Sequence, residues 1–157
     1  MARFAARPEL DLCVTYVQNF WVSELSEEEA RFRDHRLMQP VPGYVTGSLL
    51  TRRRIFESVG RLDATLQYGD ALEWFLRAAE KGVVIELLPD VLLYRRLHRA
   101  NYSRHVSRSL DEHLSIVKAS LDRRRQNGSP PWAYEFPQSD PQSAGNRDHP
   151  NTRSNRS

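Results

Sequence analysis

The chain has 157 residues, a formal net charge of +3 and a pI near 9.3. That length allows one domain with a real core. Its single cysteine, Cys13, excludes an internal disulfide framework. No stretch approaches the roughly 18 apolar residues of a membrane span. The segment Met1–Asp11 carries two arginines but no apolar run of the kind a secretory signal needs. The expected location is therefore the cytoplasm, with peripheral attachment to the inner face of the membrane as an extension that basic charge would favour. Cys13 lies in an apolar run, fits a reducing compartment and is expected to be a small core residue.

Residues 8–126 are expected to fold. From Asn127 onward, Ser, Pro, Asn, Gln and Arg dominate. Such a composition buries too little apolar area to offset its ordering entropy, so a disordered tail is expected over residues 127–157. Trp132, Tyr134 and Phe136 could dock back, but Pro130, Pro131 and Pro137 argue against a helix or central strand there.

In chain order, Leu10 to Val22 is rich in β-branched and aromatic residues and reads as a strand. Ser26 with Glu29 forms a capping-box pattern that would open a short surface helix to about Arg36. Pro40, Pro42 and Gly43 mark a loop, and Tyr44 to Leu50 is expected to be a short strand. Thr51 to Val59 reads as a helix, with Ile55, Phe56 and Val59 on one face and Gly60 as its stop. Leu72, Phe75, Leu76 and Ala79 follow the period of an amphipathic helix that Gly82 ends. Glu73 and Arg77 form an i, i+4 pair on it, expected at the surface. Val83 to Leu88 suits a strand covered on both faces, Pro89-Asp90 a turn, and Val91 to Tyr94 a second short strand. A last helix from about Ser107 to Arg125 carries Val106, Leu110, Leu114, Val117 and Leu121 on one stripe. The alternation argues for an α/β or α+β layer structure.

The basic residues cluster at Arg52–Arg54, at Arg95-Arg96 with Arg99, and at Arg123–Arg125. Such clusters are either solvated surface or an attraction for phosphate and anionic membrane. No phosphate-loop pattern, no Gly-x-Ser-x-Gly elbow and no Cys-His spacing occurs. His35, His98, His105, His113 and His149 do not fall at zinc-ligand intervals.

Five segments together carry a family resemblance. They are Pro8-Glu9-Leu10-Asp11 with the strand through Gln18-Asn19-Phe20-Trp21; Gly43-Tyr44 to Leu50-Thr51-Arg52-Arg53; Phe56-Glu57-Ser58-Val59-Gly60-Arg61-Leu62-Asp63; Trp74-Phe75-Leu76-Arg77-Ala78 with Gly82; and Leu88-Pro89-Asp90 through Tyr94-Arg95-Arg96-Leu97-His98. Over residues 8–104 the chain resembles the acceptor-side, C-terminal half of a family 2 glycosyltransferase of the GT-A fold. The resemblance implies an α/β fold that is a partial GT-A fold: residues 1–104 form the glycosyltransferase-like half, residues 105–126 an amphipathic helix and residues 127–157 the tail. It implies sugar transfer from a nucleotide-sugar to a glycan or lipid acceptor hydroxyl, helped by a divalent cation, Mn or Mg.

The same resemblance marks what is missing. The family places a Glu-Asp pair before the amphipathic helix, with the Asp as general base. The matching positions here hold Asp70 and Ala71, and alanine cannot take a proton. Asp70 is the candidate substitute base; it equally suits a helix cap. His98 is the candidate metal ligand, Arg95 and Arg96 the candidate phosphate contacts, and Tyr44 and Trp74 candidate sugar-stacking rings that equally suit a core. No Asp-x-Asp motif precedes Asp11, so no bound cation is expected for this chain alone. The first expectation is thus a truncated or degenerate glycosyltransferase-like chain, inactive alone and paired with a complementary N-terminal half or with itself. The alternative is a small basic interaction module that binds nucleic acid or an acidic partner; under the transferase reading nucleic acid is not an expected partner.

Overall fold

The structure is a computed structural model that describes residues 2–32, 35, 38–101 and 106–128. The expected tail beyond 128, with Trp132, Tyr134 and Phe136, lies outside the described residues. The elements are α1 (Ala2–Ala6), β1 (Leu12–Trp21), α2 (Ser26–Arg31), β2 (Val41–Pro42), β3 (Leu50–Thr51), α3 (Arg53–Val59), α4 (Asp70–Glu80), β4 (Ile85–Leu97) and α5 (Val106–Gln126). Short 3-10 turns lie at Ser23–Leu25 and Thr46–Ser48. The chain is a mixed α/β structure, as its alternating pattern implies.

β1 is the centre of the sheet. Its β-branched and aromatic run suits an extended, half-buried backbone. β4 runs parallel along one edge from Leu12↔Ile85 to Trp21↔Leu97. β2 and β3 pair antiparallel with successive parts of β1, at Tyr16↔Pro42 and at Leu12↔Thr51. Leu12, Val14 and Leu87 from the sheet meet Ile55 and Val59 of α3 and Trp74, Phe75 and Ala78 of α4 in one buried cluster. Cys13 is buried, and burial pushes its thiol above its ordinary range.

Four local expectations are corrected. Residues 44–50 do not form a strand: the backbone makes the Thr46–Ser48 turn between two-residue strands. Gly43 explains this, because its amide bonds Thr15 O and a Cβ there would lie 2.4 Å from that oxygen. The expected strands Val83 to Leu88 and Val91 to Tyr94 are not separate: Ile85 to Tyr94 belongs to one strand, β4, which starts after Val83 and Val84. Pro89 has no N–H for the ladder, so the stretch Leu87 to Val91 bulges against the shorter stretch Val14 to Tyr16. Leu87 alone in β4 is buried, so this strand is not covered on both faces. Order also begins before residue 8: Phe4 of α1 lies 5.2 Å from the Arg52 guanidinium, and Arg3 and Arg7 pair with Glu86.

α3 closes at Gly60, whose φ of +95° favours glycine. The Glu73–Arg77 pair is not a surface ornament. Glu73 holds Arg77 Nε at 2.7 Å, and the guanidinium donates to the Val59 and Arg61 carbonyls at the end of α3. This couples the two helices.

α5 reverses the usual rule that an apolar stripe faces the core. Ile116, Ser120 and Arg124 are buried, whereas Leu110, Leu114 and Val117 are 56%, 59% and 41% exposed. Beside the buried Ile116, which lies against Gly69, the contacts with the domain are polar. The Glu112 carboxylate accepts from the amides of Gln67, Tyr68 and Gly69 at 3.1, 2.6 and 2.8 Å. Glu80 accepts from Ser120 Oγ at 2.5 Å and from Arg123 at 2.8 and 2.9 Å.

Candidate functional site

Asp70 is the first residue of α4, next to Gly69 at the cap position. It is half-buried, as is Ala71, which packs against the core cluster. The reading of Asp70 as the cap itself therefore gives way to Gly69. The capping work on the preceding amides falls to Glu112 instead. Those amides hold the Glu112 carboxyl below its ordinary range. Nothing in the sequence pointed to this residue, because its partners lie in a loop more than forty positions away.

Trp74 is fully buried. Its ring packs between Phe56 at 5.2 Å and Phe75 at 5.5 Å, and its Nε1–H donates to Gly60 O at 2.8 Å. A ring so placed has no face open to a sugar. Tyr44 meets Phe75 edge-on at 5.4 Å and is half-buried. Burial pushes its phenol up to about 12, with Tyr16 adding to the effect. The hydroxyl therefore stays protonated at neutral pH.

Arg95 and Arg96 stand at the far end of β4, opposite Asn19 and Phe20 of β1, and His98 follows the strand directly. Successive residues of a strand point to opposite faces, so Arg95 and Arg96, both exposed, leave β4 on opposite faces of the sheet. Asn101 closes the turn by accepting from the His98 amide and donating to Arg96 O. The turn at 46–48 lies against Leu93. His98 is five residues further on, roughly 17 Å along an extended strand. The candidate residues thus form two groups: Tyr44, Trp74 and Asp70 around α4, and Arg95, Arg96 and His98 at the strand end.

The divalent cation that the glycosyltransferase resemblance implies finds no ready-made ligand set among the described residues. Among the described residues no group of three or more His, Cys, Asp or Glu side chains converges. A hard divalent ion asks for about six oxygen ligands, whereas Arg95, Arg96 and Arg99 stand within three residues of His98.

Two of the three arginine clusters are partly engaged by the fold, whereas Arg95, Arg96 and Arg99 are exposed. Arg52 donates to the Leu10 and Phe4 carbonyls, Arg54 to Asp11, and Arg123 to Glu80, while Arg124 is buried.

One feature escaped sequence reasoning. A cavity of about 780 Å³ is lined by Glu24, Leu25, Ser26, Glu27, Glu28, Arg31, Phe32 and Arg99. Leu25 follows β1 and Arg99 follows β4, so the cavity sits at the carboxyl ends of the two parallel strands. That is where open α/β sheets bind ligands. Carboxylates, guanidinium groups and a phenyl ring make a lining that can hydrogen-bond and stack a polyhydroxylated molecule. The signal available in sequence was the acidic run Glu27-Glu28-Glu29, which reads equally as a solvated helix face.

No helix among the described residues is long and apolar enough to cross a membrane. Comparison with known proteins found no matching family model, no matching curated protein and no matching solved structure.

Proposed function

We propose that this chain is the acceptor-side part of a family 2-type sugar transferase of partial GT-A fold, inactive alone because its donor-binding residues belong to another segment or chain. The observation that carries this reading is the carboxyl edge of the parallel pair β1 and β4. There a mixed-charge cavity adjoins the basic turn Arg95-Arg96-Leu97-His98-Arg99. The element order supports it as well: a helix closed by Gly60, an acidic loop, an amphipathic helix, and a strand ending in that turn. In this reading Phe32, Glu28 and Arg99 hold the acceptor sugar. Asp70 is the one carboxylate left at the family's acid-pair position, and the fully buried Trp74 serves the core.

Saturation-transfer NMR against a panel of mono- and disaccharides tests the acceptor claim. Signal is expected for at least one saccharide and should vanish in Arg99→Ala. A folded chain that gives no signal with any saccharide refutes the acceptor site. Calorimetric titration with sugar nucleotide and manganese should give no heat. Clear heat from this chain alone would overturn its dependence on a second donor-binding part.

A further inference from the structure

From the inverted amphipathicity of α5 we infer that two copies of this chain pair through their α5 helices, side by side and antiparallel. This inference stands apart from the sugar-transfer reading. Leu110, Leu114, Val117 and Leu121 are spaced alternately four and three residues apart, the repeat of a coiled-coil seam. Three of the four are at least 41% exposed, because the opposite side of α5 spends its polar groups on the domain. An exposed apolar stripe bounded by charge is a protein-binding surface.

Charge selects the occupant and the direction. Asp111 and Lys118 are both exposed and border the stripe on the side away from the domain. In an antiparallel pair Leu114 meets Val117 of the other copy and Leu110 meets Leu121. The same register sets Asp111 beside Lys118 twice, once on each side of the two-fold axis. A parallel pair would set Lys118 beside His113 and lose both attractions. The domain contacts of α5, through Glu112, Ile116, Ser120 and Arg123, lie on a different side of the helix from the stripe. Two such short stripes bury less than the ~1,200 Å² of a stable interface, so the dimer dissociates on dilution.

Sedimentation velocity of the full chain, from low micromolar to submillimolar concentration, should show a monomer passing to a dimer. Leu114→Glu, at an exposed site that leaves the fold intact by circular dichroism, should weaken pairing at least roughly a hundredfold. Lys118→Asp should weaken it roughly tenfold, and adding Asp111→Lys should restore it. Mixed Leu114→Cys and Val117→Cys chains should cross-link with each other and not with themselves; the native Cys13 is only 2% exposed and takes no part. A chain that stays monomeric throughout, or a dimer indifferent to both Leu114→Glu and Lys118→Asp, overturns the inference. So does a monomer that dimerises only after residues 129–157 are removed, since the stripe would then belong to that segment.

Discussion

Replacing Trp74 with Phe separates a core role from a binding role. The indole is fully buried among Phe56 and Phe75, and it bonds the Gly60 carbonyl that ends α3. Phe lacks two of its carbons, worth about 0.8 kcal/mol each when buried. It also lacks the N–H, and stranding the carbonyl costs about 1 kcal/mol at the low end, which suits the half-buried Gly60. The sum is about 3 kcal/mol, or roughly 10 °C in Tm for a domain of this size. Urea unfolding followed by far-UV circular dichroism reads the change, with the slope m unaltered. Trp21→Phe is the internal control: that indole is also buried, but its Nε1 has no hydrogen-bond partner among the described residues, so its loss should cost less. A Trp74→Phe cost below about 1 kcal/mol, or one no greater than that of Trp21→Phe, would refute the account of this core.

Two further outcomes are expected. The Glu112 carboxyl lies below its ordinary range because three amides donate to it. Its contribution is therefore present above the ordinary carboxylate pKa of about 4.3 and is lost as pH falls through the lowered folded value. Thermal melts from neutral pH down to acid should show wild type losing more stability than Glu112→Gln; identical pH profiles would show that this contact does not hold α5. Gly43→Ala should cost at least roughly 2 kcal/mol, because the new Cβ meets Thr15 O at 2.4 Å and Val17 at 2.7 Å, and a backbone oxygen cannot rotate away. An unchanged denaturation midpoint would show that the turn at 43–48 is free to shift.

The strand Leu12–Trp21, the helices of the central segment and their glycine stops were legible because each is a local matter. A β-branched run, a 3.6-residue period and a positive φ after the last turn are written in neighbouring residues. The covered face of α4 was also legible, and its structure widens that face to include Trp74 and Ala78. The candidate site was less so. Asp70 could be placed at the start of α4, but the cavity at the strand ends unites residues from two segments about seventy positions apart.

What the chain could determine by itself was the sequence of elements and their class, since propensity and period act over a few residues. Tertiary structure decided the rest. It merged two expected strands into β4 by letting Pro89 bulge, because register depends on the partner strand. It turned the stripe of α5 outward, because Glu112 and Glu80 each found several donors across the fold, and those distant hydrogen bonds outweighed the pattern of the helix itself.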